Sequence, residues 1–81
     1  MKIRQNKEHY NIGANIRSYR KACGLTQDQT VAQMQLLGVE ISRGTYSQIE
    51  CGIANVRVEE LLAMSRIFNA DISRFFDGLS L

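Results

Sequence analysis

The 81 residues suffice for one domain near the lower size at which a chain folds unaided, and with 44% hydrophobic residues and no proline they favour helices joined by short loops. No apolar run approaches the roughly 18 residues of a membrane span, and the N-terminus lacks a signal-peptide core, so a soluble, cytoplasmic protein is expected. The single His9 and the pair Cys23 and Cys51 have no metal-ligand spacing. Paired carboxylates and a Gly-rich phosphate loop are also lacking, so neither a metal site, a cofactor nor an enzyme is expected. The net charge of +2 is uneven: residues 1–24 carry +5, residues 25–50 carry −2 and residues 51–81 carry −1. A positive charge gathered in one third of a chain suits phosphate binding there.

Residues 1–8 (MKIRQNKE) are polar and basic and read as a flexible arm. A first helix is predicted to start between His9 and Asn11 and to end before Gly24. Its face is formed by Ile12, Ile16 and Tyr19 at i, i+4 and i+7, with Cys23 on the next turn. Thr26 with Gln29 forms a T-x-x-Q capping box, so a second helix should run from Gln27 to about Leu36, with Thr30, Val31, Met34 and Leu37 inward and Gly38 as its stop. Ser42 caps a third helix from Arg43 to about Cys51, closed by Gly52, with Tyr46 and Ile49 facing the core. The turn between these helices (Leu36 to Ser42) is long, and Leu37, Val39 and Ile41 are available to bury side chains.

The loop GIANVR (Gly52 to Arg57) leads to a fourth helix, Val58 to Phe68, with Leu61, Met64, Ser65 and Phe68 toward the core. Asp71 then caps a short fifth helix with Ile72, Phe75 and Phe76, ended by Gly78, and Leu79 and Leu81 follow as exposed tail residues. The domain is therefore bounded at 9–78, with an arm at 1–8 and a tail at 79–81. Both cysteines fall at helix ends, as small semi-buried residues or, alternatively, as a redox pair.

Helix, turn, helix with polar residues at the front of the second member is the layout of a DNA-reading motif. Arg43 has the donors to bond guanine O6 and N7 together, and Gln48 has the groups to bond adenine N6 and N7. A polar face with one Arg and one Gln is equally what an ordinary surface helix presents.

Leu25-Thr26-Gln27 followed by Ile49-Glu50-Cys51-Gly52 resembles the Cro/CI-type, or XRE-type, helix-turn-helix regulators. The likeness extends to I-x-x-x-I-R-x-x-R-K-x-x-G-L-T-Q (Ile12 to Gln27) and to L-x-x-M-S-x-x-F-x-A-D-I (Leu61 to Ile72). Three departures stand out. The turn is several residues longer than is common in the family, Val31 replaces a small Ala, and Thr30 replaces a Leu. The resemblance implies an all-α, lambda-repressor-like bundle of five helices with the motif at helices two and three. It implies a structural ion pair between Arg20 and Glu50. It assigns base contacts to Arg43, Gly44, Thr45, Ser47 and Gln48, and phosphate contacts to Thr26, Gln27, Asn55 and Arg57. The function implied is a sequence-specific transcription regulator, more a repressor than an activator. It would occupy an inverted-repeat operator in double-stranded DNA as a homodimer, with Phe76 and Leu79 near the contact between copies. The alternative is an antitoxin-like module that uses the same fold to hold a protein partner.

Overall fold

Capping decides where the helices of this chain begin. In the computed structural model, which describes residues 2–5 and 11–79, the Thr26 hydroxyl accepts from the Gln29 main-chain N–H at 3.1 Å, and the Gln29 side chain accepts from the Thr26 N–H at 2.9 Å. This reciprocal box opens the helix α2, Gln27–Leu36. Ser42 accepts from the Thr45 N–H at 3.0 Å and opens α3, Arg43–Glu50. Gly38 lies just past α2 at φ 84°, a conformation that costs an L side chain steric strain, and so turns the chain toward α3. Further on, α4 spans Val58–Phe68, with Glu60 reaching back to accept from the Arg57 N–H at 2.8 Å.

The helix before this pair, α1, spans Gly13–Ala22, starting later than the sequence suggests. Asn11 lies ahead of the helix and its side chain accepts from the Gly13 N–H at 2.8 Å; His9 and Tyr10 fall outside the described residues. The predicted fifth helix is a short 3₁₀ helix, Ile72–Phe76, so among the described residues the bundle has four α-helices and not five. Asp71 opens it as expected, accepting from the Ser73 N–H at 2.9 Å.

The larger correction concerns the N-terminus. Lys2–Ile3 forms a strand, β1, antiparallel to β2 at Val56–Arg57, with Lys2 opposite Arg57 and Ile3 opposite Val56. Gln5 then inserts its side chain between elements. Its Nε2 donates to the Ile49 carbonyl at 3.0 Å and to the Ala54 carbonyl at 2.7 Å, while its Oε1 accepts from the Ile12 and Gly13 N–H groups, each at 3.1 Å. Residues 2–5, expected in a flexible arm, are therefore anchored by main-chain pairing and four side-chain bonds. Residues 6–8 of that arm lie outside the described part of the chain.

The core is aliphatic with a small aromatic cluster. Ile12, Ile16, Val31, Met34, Ile41, Tyr46, Ile49, Leu61, Met64 and Phe68 are buried, and Phe75 is closed in by edge-on contacts with Tyr19 and Phe68 at 5.9 and 6.4 Å between ring centroids. Val31 fits this interior, and Thr30 is tolerated because its hydroxyl donates to the Thr26 carbonyl at 2.9 Å. Leu37 was expected inward but is exposed, whereas Ile41 is buried and Val39 half-buried, so the long turn is anchored at its far end. Phe76 and Leu79 are half-buried against the core. Cys23 and Cys51 are both exposed free thiols. Among the described residues no helix is long and apolar enough to cross a membrane.

Candidate nucleic-acid interface

The surface that α3 offers is set by what holds the helix from behind. Tyr46 and Ile49 fix its inner face in the core, as their i, i+3 spacing predicts. At its C-terminal end Glu50 meets Arg20 of α1 in a two-pronged pair, Nε to Oε2 at 2.7 Å and Nη2 to Oε1 at 3.0 Å. Arg20 also donates through Nη1 to the Leu25 carbonyl at 2.7 Å, so the residue tethers both α3 and the approach to α2. Burial by itself would raise the Glu50 pKa, but the hydrogen bonds from Arg20 and Gln27 outweigh it and hold the carboxyl below its ordinary range. The same hydrogen bond from Arg20 to Glu50 raises the guanidinium still further. Burial, with the Glu50 carboxylate beside it, pushes the Tyr46 phenol well above its usual value.

Gly13 permits this packing. A Cβ at that position would overlap the main-chain carbonyls of Ile49 and Glu50, so α1 and α3 meet at a distance that only glycine allows.

The polar contacts continue forward from Glu50 to the exposed end of the motif. Gln27 donates through Nε2 to Glu50 Oε1 at 3.0 Å and accepts at its Oε1 from Arg43 Nε at 2.8 Å. Arg43 Nη1 donates to Asp28 Oδ1 at 3.2 Å. Gln27, assigned to phosphate from the sequence, is thus first a bridge between α2 and both ends of α3, with one amide hydrogen left for a ligand. Thr26 is committed through its N–H and its hydroxyl oxygen to the capping box, leaving the hydroxyl hydrogen. Asp28, which the sequence reading passed over, is the acidic residue of the first turn of α2 and faces the first residue of α3.

Of the five residues assigned to bases, Arg43, Gly44, Thr45 and Gln48 are exposed on one outward side of α3, while Ser47 is half-buried. Gly44 has open space around it, so that part of the helix is bare backbone. The Thr45 hydroxyl accepts from the Ser42 hydroxyl at 3.0 Å. Beside this end of the helix runs an open groove lined by Ser42, Thr45, Asn55, Arg57 and Lys2 together with the carboxylates Glu40 and Glu60. The two loop residues assigned to phosphate therefore share a surface with the front of α3. The Arg57 main-chain N–H is already engaged by Glu60, so its contribution to a ligand falls to the side chain. Lys2, placed in a flexible arm on sequence grounds, is brought to Arg57 by the strand pairing. No local pattern in the sequence signals that long-range pairing.

Of the positive charge concentrated in residues 1–24, Arg20 is buried against Glu50, whereas Arg17 and Lys21 remain on the outer face of α1 beside the C-terminal end of α3. Cationic and amide side chains thus lie along an exposed helix whose neighbours supply further donors, the chemistry that phosphate oxygens and base edges accept.

The helix-turn-helix family model matches residues 16–75, well over half the chain and all of α2 and α3. Among solved structures, the restriction-modification controller protein C.AhdI from Aeromonas hydrophila has a similar fold, with a TM-score of 0.69 and 23% sequence identity over 82% of this chain and 92% of that one. No curated protein matches this sequence. With its motif, its packing and its family match in agreement, the chain belongs to the Cro/CI-type, or XRE-type, helix-turn-helix family of DNA-binding transcription regulators.

Proposed function

We propose that this regulator is a sequence-specific repressor that places α3 in the major groove and blocks transcription by occupying its operator. The observation that supports this reading most directly is the outward face of α3. It presents Arg43, Gly44, Thr45 and Gln48 free of the core, on a helix held at both ends by side-chain bonds to α1 and α2. Base contacts are assigned to Arg43, Thr45 and Gln48, with Gly44 and Ser47 at the interface. Phosphate contacts are assigned to Thr26, Gln27, Asn55 and Arg57. A single helix of this length supplies too few base contacts for a useful specificity ratio, so two copies on half-sites one helical turn apart complete the reading. The partly exposed Phe76 and Leu79 are placed near the contact between copies. The similar fold of a restriction-modification controller protein supports a compact regulator of this kind.

Selection of binding sites from a random duplex pool, followed by affinity at two salt concentrations, tests the proposal. Enrichment of an inverted repeat with half-sites one turn apart is expected. Failure to enrich any sequence would refute it.

A second reading, a module that holds a protein partner, is favoured by one feature. Leu36 and Leu62 are 86% and 57% exposed, and the exposed Leu37 lies beside each of them. The two readings separate on salt, since DNA affinity falls linearly with log salt and an apolar contact does not.

A further inference from the structure

Arg43 is already engaged in the structure, by two partners on α2. Its Nε donates to Gln27 Oε1 at 2.8 Å and its Nη1 to Asp28 Oδ1 at 3.2 Å. A guanidinium offers two edges with parallel N–H groups, one formed by Nε and Nη2 and the other by Nη1 and Nη2. Reading guanine requires one whole edge, with two N–H groups on O6 and N7 together. Here each edge has one nitrogen already donating to a protein acceptor, so guanine on either edge competes with Gln27 or Asp28 for Arg43. The Arg43 and Asp28 side chains are 55% and 75% exposed, and an ion pair so open to water adds little to folding. It is easily exchanged, and it lies on the surface that would meet DNA.

We propose that Asp28 is a specificity-determining residue that competes with the bases for the Arg43 guanidinium. The inference rests on the DNA-reading role of α3 given above and adds a residue on α2 to it. Guanine repays release of the carboxylate with two hydrogen bonds. Any other base leaves Arg43 on Asp28 with the carboxylate neutralised, so the cost of stripping the carboxylate falls on guanine alone. Asp28 thereby narrows the advantage of guanine over the other bases without a contact between Asp28 and DNA.

The test uses the selected operator and duplexes altered at the one base pair whose preference disappears in Arg43→Ala. At fixed salt, Asp28→Asn should widen discrimination at that base pair about two- to fivefold, the worth of one exposed ion pair, and should do so by tightening binding to the operator more than to the altered duplexes. In the Arg43→Ala background the same substitution should change all affinities by one common factor. A common factor in both backgrounds would reduce Asp28 to a general repulsion of phosphate and overturn the proposal. Discrimination lost through weaker operator binding would overturn it too, making Asp28 a support for Arg43 and not its competitor. If Arg43→Ala left every base preference intact, Arg43 would read no base and the proposal would fall. Absence of binding to any duplex at low salt would instead sink the DNA-reading role of α3 itself, and this inference with it.

Discussion

Arg20→Met should destabilise the fold by about 3–5 kcal/mol, whereas Arg20→Met combined with Glu50→Met should cost far less. The reason is geometric. The pair is made by two hydrogen bonds of 2.7 and 3.0 Å between side chains that are only 9% and 2% exposed, so water has no access to replace a lost partner. In the single variant Glu50 keeps the Gln27 bond at 3.0 Å but remains a buried carboxylate without its cation. Against a total stability of roughly 4–12 kcal/mol for a domain of this size, that loss is a large fraction. Equilibrium urea denaturation measures it, as a shift in midpoint with an unchanged slope. A double variant no more stable than the single would refute the reasoning. The pair also sets an acid limit. Glu50 titrates below its ordinary value of 4.5, so its contribution is complete above that pH and is lost as the pH falls through the lowered value, with Arg20 charged throughout. The double variant should lose less stability over that acid range.

Gly13→Ala should destabilise by about 1–3 kcal/mol or more, because the added methyl meets the Ile49 and Glu50 carbonyls and no side-chain rotation relieves it; an unchanged melting temperature would show that α1 and α3 separate freely. Gln5→Ala should cost about 2 kcal/mol by orphaning part of a set of four hydrogen bonds, measured by denaturation, and no loss would mean that the Ile12 and Gly13 donors find water. Gln48→Ala should weaken binding to the selected operator and relax one base preference, while Arg57→Ala should weaken all duplexes about equally and lower the salt slope by about one. Equal losses on operator and random DNA for Gln48→Ala would contradict the placement of α3.

The two helices of the motif, α4 and most of the core were legible in the sequence because local chemistry specifies them. Thr26 and Ser42 satisfy helix N-termini within three residues, Gly38 ends a helix at its own position, and Leu61, Met64 and Phe68 recur with the helical period. The Arg20–Glu50 pair was legible only through the family resemblance, since 30 residues separate its members. Tertiary structure alone decided the rest. The strand pairing of Lys2–Ile3 with Val56–Arg57 depends on segments far apart in the chain that only the packing of the helices brings together, and Gln5 takes its four partners from the start of α1, from α3 and from the loop after α3. Leu37 and Ile41 occupy the same turn, yet only Ile41 is buried, because the path of the turn and not the apolar character of either residue chooses which side chain reaches the core. The engagement of Arg43 by Asp28 follows from the packing of α3 against α2, which brings together residues 15 apart in the chain that no local pattern pairs.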